Sequence, residues 1–329
     1  METLINNNPY RTLSIDFAKD YIITMRPYLL FVSGVTGICG MSFIDELSVS
    51  KAILISLASF LSYGFGQALT DCFQTDTDSI SSPYRPLTQG RISKSQVLVV
   101  SITGLIFCIS IFAIYNPVNL WWGALSGFGL ATYTYFKRRF WSGPFYNAWI
   151  VAVLFLMAYL CGSDILTFTG NHNFIYGLSA VFWGYANFVL VGYFKDVEAD
   201  RATGYNTFLV VFGRRLSSIA SNIFGLMTIL TTLSVFTYSN SLDQLIEDRP
   251  YETIILLIGS LVMFLCQVLV HFIKKDDESS NAISLSVHAY ILLLSSIIVL
   301  NKQEWLIPMI IFYALFNLTM ILRPAKTQI

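Results

Sequence analysis

Ten stretches of this chain are apolar for about the 20 residues that a helix needs to cross 30 Å of hydrocarbon. They cover 27–44, 52–70, 96–115, 118–136, 145–162, 173–194, 216–238, 252–273, 283–300 and 304–322. The last two are separated only by the short Asn301 to Gln303 turn, so the pattern predicts nine or ten spans. The polar connections at 71–95, 137–144, 195–215 and 274–282 then share one side, and those at 163–172 and 239–251 share the other. The expected fold is an all-α, polytopic transmembrane helical bundle forming a single domain over 1–329, with 1–25 as a cytosolic N-terminal segment.

Composition agrees with this pattern: 55% of the 329 residues are hydrophobic and 12% charged, against about a quarter charged in soluble domains. Mean hydropathy is +0.62. The formal net charge is zero, which leaves no electrostatic footprint for nucleic acid. The distribution of charge says more. With the N-terminus in the cytosol, only Lys51, Arg249 and Lys302 of the 20 basic residues fall outside, the asymmetry expected when positive loops stay inside. Ten spans would return the C-terminus to the cytosol as well. The 5 cysteines are scattered singly through apolar runs and read as packing residues. His172, His271 and His288 are isolated, so a histidine-built metal site is not expected. The first 25 residues are mixed polar and carry no cleavable signal pattern.

Two cytosolic connections carry unusual chemistry. The first runs Thr70-Asp71-Cys72-Phe73-Gln74-Thr75-Asp76-Thr77-Asp78 and continues through Ser82-Pro83-Tyr84-Arg85-Pro86 to Gly90 and Arg91. If the preceding helix continues past Asp71, then Asp71, Gln74 and Asp78 share a stripe within about 60°, while Asp76 points elsewhere. The second runs Lys195-Asp196-Val197-Glu198-Ala199-Asp200-Arg201 and leads to Gly204, Asn206, Thr207 and Phe212-Gly213. Asp196 and Asp200, four residues apart, would project from one helix face about 6 Å apart along the axis. Each motif alone also fits a solvated helix end or a row of surface ion pairs. Two such motifs on one membrane face, mixing carboxylates with cations, suit a metal-bridged diphosphate whose lipid tail lies in the bundle.

These residues resemble the UbiA superfamily of intramembrane prenyltransferases. Asp71 to Gly90 is similar to the family's first Asp-rich motif, NDxxDxxxD, and Pro83-Tyr84-Arg85-Pro86 to its continuation in chlorophyll-synthase-like branches. Lys195 to Gly213 resembles the second motif, DxxxD followed by Gly, a hydroxyl residue and a terminal aromatic-Gly pair. Tyr133, Lys137, Arg138, Gly143 and Asn147 resemble the stretch between them without its double proline, and Arg26-Pro27 fits the start. Thr70 stands where Asn is usual, Gln74 where a second Asp is usual, and Tyr193 where several branches carry another Asp.

The resemblance implies a central cavity opening to the cytosolic side. Asp71, Gln74, Asp78, Asp196 and Asp200 would hold Mg²⁺, with Asp76 as a helper. Arg85, Lys137, Arg138 and Lys195 would bind the diphosphate, and Lys195, Tyr133, Asn147 and Tyr193 are the candidate catalytic residues. The implied reaction moves an isoprenyl group from an isoprenyl diphosphate to a lipophilic acceptor in the membrane lipid, aromatic or from a quinone pathway. A membrane terpene cyclase of the same superfamily is the alternative, and a secondary transporter a more remote one.

Overall fold

The structure, a computed structural model, describes residues 9–12, 14–163, 171–239 and 247–323. The 163–172 and 239–251 connections and Lys326 lie wholly or partly outside the described residues. Among those described there are thirteen α-helices: α1 (Ile15–Met25), α2 (Leu30–Ser42), α3 (Val49–Asp71), α4 (Thr75–Ser81), α5 (Lys94–Tyr115), α6 (Asn119–Arg139), α7 (Gly143–Leu160), α8 (His172–Gly192), α9 (Val197–Ala202), α10 (Phe208–Ser239), α11 (Pro250–Val270), α12 (Ser280–Asn301) and α13 (Leu306–Leu322).

Every predicted apolar run coincides with a helix, because only a helix satisfies its own backbone hydrogen bonds across hydrocarbon. Eight helices are long and apolar enough to cross a membrane, and a ninth span arises if α1 and the Pro27–Ser42 segment, bent by 44°, count as one. The run at 118–136 is the exception. It forms α6, whose 21 residues reach about 30 Å, but its glycines, hydroxyl residues and basic last turn make it less apolar than the candidate spans. The N-terminal segment is helical as well. Residues 15–25 form α1, capped by Ser14 and packed on the bundle through Phe17, Tyr21 and Met25.

The helices pack as a ring. α3 lies between α2 and α5, α6 and α7 follow, and α8, α10, α11 and α12 close back onto α2. α2 and α12 are the most enclosed: almost all of α2 is buried, and from Tyr290 to Val299 no residue of α12 is exposed. Small residues on α2 allow this. A Cβ on Gly37 would lie 1.9 Å from the Ser59 hydroxyl, and one on Gly40 would lie 2.2 Å from the Phe155 carbonyl, so α3 and α7 approach at backbone distance. α13 sits outside the ring, touching α12 and the Pro27–Leu29 turn and turning Ile307, Ile310, Ile311 and Leu318 outward, as lipid permits.

The ends of α3, α6 and α8 and the starts of α5, α7 and α10 meet at one end of the bundle. There each half repeats one plan: a spanning helix, a break, then a short helix bearing acidic residues. α3 breaks at Cys72 to Gln74 before α4, and α8 runs into the Tyr193–Lys195 turn before α9. α4 packs on α9, and the Thr77 and Thr203 hydroxyls lie 3.1 Å apart.

Candidate active site

The break after Asp71 changes the basis of the first motif. Gln74 leaves the helical conformation at φ −120°, ψ 15°, so Asp71, Gln74 and Asp78 do not share a stripe on one helix. They nonetheless line one cavity of about 220 Å³, because the break folds α4 back over the end of α3. From the second motif Lys195 and Asp196 line it, joined by Arg85, Lys137, Tyr133, Tyr193 and Asn147. Farther along, the wall is apolar, with Phe112, Leu130, Ile150, Met157, Tyr185 and Phe188. Thus ten of the sequence-predicted residues meet in one space.

Three do not line it. Asp200 is fully buried behind the wall, 3.3 Å from the Lys137 ammonium. Asp76 and Arg138 pair with each other on the rim, where Arg138 also donates to the Tyr205 hydroxyl at 3.1 Å and stacks over its ring. Asp76 and Arg138 thus meet each other rather than the cavity. With Thr77 and Thr203 they form a strap that joins α4, the end of α6 and the segment after α9; the Asn206 amide completes it by donating to the Arg138 carbonyl at 3.0 Å.

Two site residues escaped the sequence assignment. Arg26 holds both oxygens of Asp71 at 3.0 Å, and the Gln67 amide donates to Asp71 Oδ1 at 2.6 Å. Gln67 was legible as one turn before Asp71 on the same helix face. Arg26 was noted as part of a motif, but its separation of 45 residues from Asp71 carries no contact signal. It is the one non-glycine residue with positive φ among those described, at 55°, a conformation disfavoured for a long side chain, and it closes α1 as its left-handed C-cap before Pro27.

Charge is closely matched here. Arg85 lies 2.5 Å from Asp78 and 3.8 Å from Asp71, so one guanidinium serves both carboxylates. Burial raises the Asp78 carboxyl against Arg85, and the neighbouring Asp71 and Asp196 charges add to the rise. Burial acts the same way on Asp196, but Lys195, Lys137, Arg85 and Arg26 outweigh it and hold this carboxyl below its ordinary value. Asp78 and Asp196 thus act on each other electrostatically, so the two motifs form one centre. Burial pushes Asp200 up to about 6 despite Lys137.

Tyr133 and Tyr193 share a hydrogen bond of 2.8 Å, and the Lys137 ammonium lies 4.9 Å from the Tyr193 ring centre. Gly143 makes room for this pair, since a Cβ there would lie 2.3 Å from the Tyr193 hydroxyl. The free cysteines are all buried, in keeping with a packing role. Among the described residues no three His, Cys, Asp or Glu side chains form a ready-made metal cluster. The carboxylates that line the cavity come from separate segments of the chain.

The model of the UbiA prenyltransferase family matches residues 31–297. A digeranylgeranylglyceryl phosphate synthase of Thermococcus sibiricus is 28% identical over 219 residues, 65% of this chain and 76% of that protein. The apo structure of a UbiA homolog from Aeropyrum pernix superposes with a TM-score of 0.68 at 17% identity, covering 82% of this chain and 96% of that one. A UbiA homolog from Archaeoglobus fulgidus bound to DMAPP and Mg²⁺ gives 0.59 at 16% identity, covering 84% and 99%. These findings replace the transporter alternative: the chain belongs to the UbiA prenyltransferase family and is a multi-pass membrane prenyltransferase.

Proposed function

We propose that this chain transfers an isoprenyl group from an isoprenyl diphosphate to a lipophilic acceptor with the help of Mg²⁺. The observation that carries this reading is the cavity, with charged groups from both Asp motifs at one end and an apolar wall beyond them. That shape suits a molecule with an anionic head and a hydrocarbon tail. Asp71, Gln74, Asp78 and Asp196 offer hard oxygen donors to a common space, the ligand chemistry Mg²⁺ prefers. Three carboxylates face four cationic side chains in the lining, so a diphosphate with several negative charges would leave an excess that a divalent ion offsets. Bound there, the ion would stabilise the departing diphosphate.

The protein's own groups complete the step. Arg26, Arg85, Lys137 and Lys195 hold the diphosphate oxygens and take up negative charge as the allylic C–O bond breaks. The apolar wall excludes water, and rings such as Phe112, Tyr185 and Phe188 face the electron-poor carbon, each worth about 0.5–2 kcal/mol. Tyr133, Asn147 and Tyr193 present hydroxyl and amide groups that orient the acceptor. Asp200 keeps Lys137 charged and aimed.

For the acceptor, the relatives' name specifies a prenylated glyceryl phosphate, and this supports a lipid hydroxyl over the aromatic or quinone-pathway ring expected from Pro83 to Pro86. We place the charged end of the cavity on the cytosolic side, with both termini there, and count α6 as the tenth span of one UbiA-like domain.

Purified protein in nanodiscs, given an allylic diphosphate and Mg²⁺ with a glyceryl phosphate lipid, an aromatic acceptor or neither, tests the reading. The expected result is a Mg²⁺-dependent prenyl ether of the glyceryl phosphate. Transfer to the ring instead restores the aromatic acceptor, cyclic hydrocarbon formed without acceptor assigns the chain to the terpene cyclases, and an unconsumed diphosphate in every arm overturns the proposal.

A further inference from the structure

Asp196 precedes α9 in the position where an Asp ordinarily caps its own helix by accepting from the second or third backbone N–H. It makes no such bond, because its side chain lines the cavity. The N–H of Glu198, an exposed residue in the first turn of α9, then has no partner within its own helix. A residue from another part of the chain fills the gap. Asp276, in the turn between α11 and α12, accepts from the Glu198 N–H through Oδ2 at 2.9 Å.

The other oxygen of Asp276 pairs with the Arg214 guanidinium, and Arg214 Nη1 donates to the Phe194 carbonyl at 3.1 Å. One ion pair therefore grips the chain on both sides of Asp196, at 194 and at 198. The grip is itself braced. Glu278 accepts from the backbone N–H groups of Lys274 and Lys275 at 2.7 and 3.1 Å, and the Ser279 hydroxyl donates to the Asp276 carbonyl at 2.6 Å. Arg214 starts from an equally fixed point, directly after Gly213, whose φ of 74° breaks the helical path at the base of α10. Neither Arg214 nor Asp276 lines the cavity.

We infer that Arg214 and Asp276 are positioning residues that cap α9 from outside and so free the Asp196 carboxylate to serve the cavity. This rests on the proposed reaction, but the grip acts on Asp196 whatever the acceptor is. Removing it lets Asp196 turn back to cap its own helix, which withdraws one oxygen donor from the site.

The experiment uses full-length protein in nanodiscs and compares wild type with Asp276→Ala, Asp276→Asn, Arg214→Ala and Arg214→Lys. Three quantities are read: hydrogen exchange at 196–203, the Mg²⁺ concentration that half-saturates the thermal shift with Mg²⁺ alone, and the same midpoint for prenyl transfer. Asp276→Ala is expected to raise both Mg²⁺ midpoints about 10–100-fold, the usual cost of losing an outer partner of a metal ligand. It should also lose protection at Glu198, while the KM for the diphosphate at saturating Mg²⁺ stays near wild type. Asp276→Asn keeps an accepting oxygen and should recover most of both losses. In an Asp196→Ala background, Asp276→Ala should move neither midpoint further, because its effect passes through that carboxylate.

Lost protection with unchanged Mg²⁺ midpoints would overturn the inference, since the grip would then be structural only. Additive effects with Asp196→Ala would overturn it too. A wild type inactive toward every allylic diphosphate defeats the proposed function instead, and the Mg²⁺-alone thermal shift still decides the role of Asp276.

Discussion

The two Asp motifs look alike in sequence and are built differently. In the first, Asp71 and Asp78 both face the cavity, each against an arginine from another segment. In the second, only Asp196 does so, while Asp200, four residues on, is sunk behind the wall on Lys137. One motif supplies two carboxylates to the site; the other supplies one, and uses its second to hold a cation in place. Like composition therefore does not mean equal work, because burial and the nearest opposite charge decide what each carboxylate can do.

The largest effect expected from this contrast is on turnover. Asp71→Ala and Asp196→Ala should each lower prenyl transfer by about 10²–10³-fold, measured as kcat at saturating Mg²⁺. Near-normal rates in either would remove that residue from the site.

Next comes stability, where the two motifs should part. Asp200→Ala leaves the buried Lys137 charge unpaired and should cost about 3–5 kcal/mol of folding stability in denaturant titration. Lys137→Met with Asp200→Leu should recover most of that stability but not the activity, since Lys137 also lines the cavity. Full recovery of both would show the pair to be mere packing.

A pH series sharpens the same point. The Asp200 carboxyl titrates at about 6 in the folded chain against 3.8 for the free group. Between these values the folded state binds more protons than the unfolded one, so this group's contribution to stability is full below about pH 4 and is lost as pH rises to about 6. The metal-free wild type should therefore lose melting temperature relative to Asp200→Asn over that interval. Parallel curves for the two proteins would contradict the assignment.

The smallest effect belongs to the rim. Asp76 and Arg138 are each about 40% exposed, at 40% and 39%, so their pair is worth about 1 kcal/mol or less. Arg138→Ala should raise the KM for the diphosphate by no more than about fivefold, and a loss of kcat comparable to Asp71→Ala would return Arg138 to the reacting centre.

The long helices were legible because hydrocarbon leaves one solution for the backbone and about 20 residues to reach across, and even α6, diluted by glycine and threonine, formed a helix at its predicted place. What the sequence concealed was local. The stripe assigned to Asp71, Gln74 and Asp78 assumed a continuous helix, and the break at Cys72 to Gln74 reaches the same cavity by another path. Asp76 and Arg138 carry the right chemistry for the site, but the rim pairs them with each other. Partners far apart in the chain left no periodic trace: Arg26 with Asp71 across 45 residues, and Asp276 with Glu198 across 78. Such pairs are set by which loops the bundle brings together, and hydropathy does not encode that.

The left-handed turn at Arg26 links two things usually kept apart. α1 rests on the side of the bundle with Ile15 and Ile22 turned outward, and the 44° bend at its end is where the guanidinium facing Asp71 is mounted. The guanidinium is thus mounted where α1 meets the Pro27–Ser42 segment, and its place opposite Asp71 is set by the angle between the two.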